Sequence, residues 1–196
     1  GDTRMTSKLK TDVLETVSGS GTIALTNQLS GMTSASMPSG SVLQVVSYYT
    51  AAQTAQTMST SDQVINSMSK VITPLGANSK FLVQVRWVGE ITSGQDVCFN
   101  IQMNGTRVNS GGGRAYYLGM GMLSYHLQND NSTPETLNFS TLVSTSSVIG
   151  TDITFRLVAD CNGGSNPIWS NRCFGSAPSG GTEGGTSELI ITEIKG

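Results

Sequence analysis

A period-two pattern that runs straight into a two-residue turn constrains this chain more than any other feature. In DVCFNIQM, Val97, Phe99, Ile101 and Met103 fall on one side of an extended backbone, with Asn100 and Gln102 on the other. Successive strand side chains point to opposite faces, so this alternation marks a strand with one buried face. Asn104-Gly105 follows at once. A type I′ turn needs positive φ at both central residues, and Asn-Gly accepts it, so the pair predicts a hairpin. KFLVQVRWVGEI repeats the pattern, with Phe81, Val83, Val85 and Trp87 on one face and Gln84 and Arg86, beside Leu82 and Val88, on the other. In TDITFRLVA, Ile153, Phe155 and Leu157 alternate with Thr154 and Arg156. SVLQVVSYY, MGMLSYHLQ, ETLNFSTLV and SELIITEI are strand-like through β-branched and aromatic content. No long amphipathic helical pattern appears. Short strands separated by Gly- and Asn-rich connectors predict an all-β, antiparallel β-sandwich. Only residues 50–68 break the rhythm; they are polar with few apolar anchors, and a long surface loop or a short helix is expected there.

Composition narrows the class. The 196 residues suffice for one domain with a sizeable core plus a short appendage. Charged residues make up 12%, about half the usual share. A disordered tail would instead be charge-rich. The formal net charge of −2 argues against binding nucleic acid through phosphate neutralisation. No long apolar run predicts a membrane span.

The first segment is thinner. LKTDVLETVSGSGTIALTNQLSG offers Val13, Leu14, Val17, Ile23, Leu25 and Leu29 between turn residues. Two short strands fit it, and they cannot bury a core alone. Pro38-Ser39-Gly40 is a turn signal. The expected division is therefore a stem or arm over 1–37, for trimerisation or attachment, and a sandwich head over 38–196.

No constellation of catalytic residues stands out, and a non-enzyme without cofactor or metal is expected. The single histidine, His126, has no ligand cluster of zinc spacing around it. Asp152 and Asp160 flank one strand with Glu135 nearby, and paired acids are what a glycan hydrolase needs. Asp152 reads better as a strand-start residue and Asp160 as a turn residue. Cys98 sits in an apolar strand and reads as a buried thiol. Cys161 and Cys173 flank a loop, and a bridge between them stays open. Trp87 reads as core. Tyr116-Tyr117, beside the glycine run ending at Arg114, and Trp169 in the SNPIWSNRCF stretch suit either sugar stacking on exposed loops or packing against core and neighbouring chains. Arg114, Tyr116, Tyr117, Asn166, Trp169 and Arg172 are the candidate surface-binding residues.

Three stretches carry a family resemblance. MPSGSVLQVVSYYT, VITPLGANSKFLVQVRWVGE and SELIITEIKG, in this order, resemble a module of tail-fibre, head-fibre and capsid-decoration proteins of tailed bacteriophages. The N-terminal LKTDVLETVSGSGTIALTNQLSG resembles the fibre-type repeats upstream of that module. The resemblance implies a virion location and a homotrimer with a jelly-roll-like head on a β-stem. It implies contacts with other virion proteins, capsid or tail, and with a host surface glycan or protein. A host-facing adhesin is the first expectation and a trimeric capsid decoration protein the second. A glycan hydrolase is a remote third.

Overall fold

The computed structural model describes residues 33–91, 96–109, 119–123, 134–161, 166–174 and 183–196. Its strands are β1 (Val42–Thr50), β2 (Thr54–Met58), β3 (Gln63–Ile72), β4 (Lys80–Ile91), β5 (Val97–Met103), β6 (Thr106–Arg107), β7 (Gly121–Leu123), β8 (Glu135–Ser144), β9 (Ile153–Cys161), β10 (Asn166–Ser170) and β11 (Ser187–Ile194). Among the described residues the one helical element is a single 3-10 turn, Ser34–Ser36. The stem residues Val13, Leu14, Val17, Ile23, Leu25 and Leu29 lie outside the described residues, as do Arg114, Tyr116, Tyr117 and His126.

Every pairing between these strands is antiparallel, and they form two sheets in a sandwich-like arrangement, as the alternation predicts. The larger sheet runs β1-β11-β4, with β8 on the far side of β4. Beyond the end of β11, β10 takes over the same edge of β4, and β2 pairs with β10. The smaller sheet runs β3-β9-β5, and β7 and β6 share the outer edge of β5.

The inner faces are those that the alternation assigns. Phe81, Val83, Val85 and Trp87 of β4 meet Ile153, Phe155 and Leu157 of β9 and Val97, Phe99 and Ile101 of β5 in one buried cluster. Two aromatic pairs tie the layers: Phe81 to Phe155 at 5.5 Å and Trp87 to Phe99 at 4.9 Å between ring centroids. Each such ring contributes roughly 1.5–3 kcal/mol by leaving water. The indole N–H of Trp87 donates to the Ser170 hydroxyl at 2.9 Å, so its one polar atom is satisfied inside the core. The predicted hairpin forms, with φ of +50° at Asn104 and +84° at Gly105 joining Met103 to Thr106.

Residues 50–68 differ from expectation. They form β2 and the start of β3 rather than a loop or helix. Val64 pairs with Val158 but Ser69 pairs with Arg156, so β3 carries a wide bulge. Asn66 and Ser67 take left-handed φ within it, which lets Ile65 and Met68 both reach the core. An interrupted strand loses its period of two, which hides it from pattern reading. Within SNPIWSNRCF, Asn166–Ser170 likewise form β10 rather than an exposed loop.

Asn171 holds the junction where β10 gives way to β11. It is fully buried at φ +61°. Its amide donates to Thr50 O at 3.1 Å and Ala52 O at 3.0 Å, where β1 passes into β2, and accepts from the Ser187 hydroxyl at 2.7 Å. Asn is the side chain best suited to αL backbone outside glycine, and here it also satisfies the buried Thr50 carbonyl. Asn171→Ala is expected to lower unfolding free energy by about 2–3 kcal/mol. Chemical denaturation measures this, and a loss below roughly 0.5 kcal/mol would show that the junction is held otherwise.

Candidate functional site

The three resembling stretches, far apart in sequence, become hydrogen-bonded neighbours. They supply β1, the connector into β4 with β4 itself, and β11, in the spatial order β1-β11-β4. Their meeting point is Glu193. Strand β11 turns Ser187, Leu189, Ile191 and Glu193 inward, and all four are fully buried. The Glu193 carboxylate accepts from Gln44 Nε2 at 2.6 Å, from Leu75 N at 3.0 Å, from Gly76 N at 2.9 Å and from the Ser79 hydroxyl at 2.6 Å. Burial alone would raise its pKa; the bonds from Ser79, Gln44, Leu75 and Gly76 outweigh that and hold it below the ordinary glutamate value. A Cβ on Gly76 would stand 2.8 Å from both Leu43 Cδ1 and Ser79 Oγ, so a side chain there would displace its neighbours. Glu193 is fully buried, and its bonds tie β1, β11 and the connector into β4 together.

A second polar cluster lies on the outer face of the smaller sheet. The hairpin register places Arg107 opposite Gln102. Arg107 bonds Asp62 and, at 3.0 Å, Asp160, while Gln102 donates to Asp62 at 2.8 Å. Asp160 is 1% exposed and belongs to β9, so the sequence reading of it as a turn residue is corrected. Burial raises its pKa first; Arg107 lowers it and Asp62 raises it further. Asp160 Oδ1 and Asn100 Nδ2 are buried without a partner among the described residues. Asp152, just ahead of β9, accepts from the Thr73 hydroxyl at 2.5 Å. Asp152 and Asp160 thus sit at opposite ends of a nine-residue strand. At about 3.3 Å per residue that separation exceeds twice the spacing that two acids flanking a glycosidic bond need.

Of the candidate binding residues, Asn166, Trp169 and Arg172 are among the described residues. Trp169 is 7% exposed and lies on a strand rather than a loop, so of its two readings packing holds; pairing of β10 with β2 and β4 fixes it, and its ring meets Phe174 at 4.5 Å. Arg172 is half-buried, with Nε donating to Cys173 O at 3.2 Å and its backbone bridged to Gly184. Asn166 opens β10 opposite Met58. Cys161 and Cys173 are buried and no disulfide joins them; Cys98 is buried, as expected. Among the described residues no cluster of His, Cys, Asp or Glu is arranged to hold a metal ion.

What the sequence reading missed is the outer face of the larger sheet. Register aligns Tyr49, Glu188, Arg86 and Asn138 in one cross-strand row. Ser47, Ile190, Gln84 and Ser140 make the next, and Val45, Thr192, Leu82 and Leu142 the third. A shallow groove of about 510 Å³ crosses the first two rows, lined by Gln84, Arg86, Asn138, Ser140, Glu188 and Ile190. Its signal was present as the polar half of each alternation, but which polar residues become neighbours is set only by strand order.

No protein-family model matches this sequence, and no curated protein matches it significantly.

Proposed function

We propose that this chain is a structural protein of a tailed-bacteriophage particle, acting as a homotrimer that presents its sandwich head to the host surface without catalysing a reaction. One observation carries the reading. The three stretches that resemble the phage module interlock physically, with Gln44 from the first, Leu75, Gly76 and Ser79 from the second and Glu193 from the third sharing one buried carboxylate. Chance matches to Val- and Leu-rich strands have no reason to converge on a common bond network. Strand edges add support for assembly. Among the described residues β1 and β8 each pair on one side only, and neither carries the Lys, Arg or Pro with which monomeric proteins blunt a free edge.

Capsid decoration is the second reading, favoured by an exposed apolar patch on two adjoining loops. Leu75, Val148 and Ile149 are 41%, 63% and 59% exposed there, and Gly150 N donates to Pro74 O at 3.1 Å to bring the two loops together. An apolar patch of this kind suits contact with another virion protein.

Mass measurement of the full chain in solution is expected to give three chain masses, and antibodies to the chain are expected to label purified particles. Labelling confined to the tail or to fibres supports the adhesin, whereas dense labelling over the head supports decoration. A monomer whose antibodies leave particles unlabelled overturns both.

A further inference from the structure

We propose that the groove on the outer face of the larger sheet binds a neutral oligosaccharide. The chemistry of its lining selects that class. The amides of Gln84 and Asn138 and the hydroxyl of Ser140 line the groove, and none bonds another protein group among the described residues. Each amide both donates and accepts, as a sugar hydroxyl does. Arg86 and Glu188 face each other at 3.9 Å, beyond hydrogen-bond range, with side chains 45% and 32% exposed. Arg86 Nη2 donates to the Thr186 hydroxyl at 3.1 Å, and the remaining guanidinium donors sit beside the Glu188 carboxylate, the arrangement that pairs with adjacent ring hydroxyls.

The groove also has the apolar half that a pyranose needs. Ile190 lies in its floor, and Tyr49, 60% exposed, ends the row that holds Glu188 and Arg86. A tyrosine ring covers the C–H face of a sugar while the amides take its hydroxyls. Strands rather than loops carry all these groups, so they are held in place before a ligand arrives.

Other occupants fit less well. The single arginine is offset by Glu188, so a phosphate chain finds no excess positive charge. An apolar helix would bury Gln84, Asn138 and Ser140 without partners. The groove chemistry stands by itself; only the source of the glycan, a bacterial surface polysaccharide, rests on the adhesin reading.

The test uses the full chain on an immobilised array of neutral oligosaccharides built from hexose, deoxyhexose and N-acetylhexosamine units. Binding to at least one member is expected, with little change between about 50 and 500 mM salt because no net charge is neutralised. Gln84→Ala, Asn138→Ala and Tyr49→Ala are each expected to weaken it about tenfold, the loss of one neutral hydrogen bond or one stacked face. Arg156→Ala, exposed on the other sheet, is expected to bind as the parent does. All four positions are exposed, so melting temperatures should match the parent's and separate lost binding from lost folding.

The proposal is overturned if the parent binds no array member, or if a bound glycan ignores Gln84→Ala and Asn138→Ala. It is overturned also if those variants change the mass in solution, which would make the face a contact between copies. Glycan binding by a chain whose antibodies leave particles unlabelled would sink the virion reading and leave the groove standing.

Discussion

Glu193→Ala is expected to cost about 3–5 kcal/mol of unfolding free energy, the larger end of what single substitutions do. The substitution strands Leu75 N and Gly76 N, while the Ser79 hydroxyl keeps Gly76 O as an acceptor at 3.0 Å; each buried donor left without an acceptor costs roughly 1–3 kcal/mol. Gln44 is spared, because its amide also donates to Thr73 O at 2.7 Å. Glu193→Gln keeps one acceptor oxygen but turns an NH₂ group toward donors, so about half the loss is expected. Urea unfolding midpoints with unchanged slope measure both. A loss under about 1 kcal/mol in the alanine variant would mean that the connector holds its shape without the carboxylate.

The same residue sets an acid limb. Its folded pKa is lowered, so its stabilising effect is full above the unfolded value of about 4.3 and is lost as pH falls through the folded value beneath that. Asp160 and Glu135 act in the opposite sense. Burial, the largest cause for each, raises their pKa, so the folded state takes up their protons first and gains stability as pH falls from neutrality toward the unfolded carboxylate range. The parent should therefore hold its stability down to about pH 4 and lose it below, and the loss should be shallower in Glu193→Gln.

Arg107→Met is expected to cost a similar amount, about 3–5 kcal/mol, because it leaves two carboxylates facing each other with no cation between them. Asp160 is the one that suffers: it is nearly inaccessible, and one of its oxygens already lacks a partner. Arg107→Lys should recover only part of the loss, since an ammonium cannot serve both carboxylates as the guanidinium fork does. Adding Asp160→Asn to Arg107→Met should restore more than half of it, and a double-mutant cycle reads that coupling directly. Strict additivity of the two changes would show that Arg107 acts through Asp62 alone.

These two sites show unequal legibility. In SELIITEI the alternation that buries Leu189 and Ile191 also points Glu193 inward. A charged residue on a core-facing position is a visible signal, since such a group must find partners or stay protonated. Its partners were not visible: Gln44, Leu75, Gly76 and Ser79 lie more than a hundred residues away. Arg107 offered less. Its place two residues beyond Gly105 follows from the hairpin, but nothing local marks Asp62, which arrives from the connector between β2 and β3. The stretch around Trp169 reads as a loop because its strand has turn-forming neighbours, Asn166-Pro167 before it and Ser170-Asn171 after it; pairing on both sides overrides those local preferences.

By itself the sequence determined strands β1, β4, β5, β8, β9 and β11, the Asn104-Gly105 hairpin and the buried faces of β4, β5 and β9, because alternation and turn chemistry act between residues next to each other. The tertiary structure alone decided that β1, β11 and β4 lie side by side, that Glu193 ties them, and that Gln84, Asn138 and Arg86 share a groove. Strand order is settled by burying both sheets at once, and that free energy belongs to residues distant in the chain, so no local pattern records it.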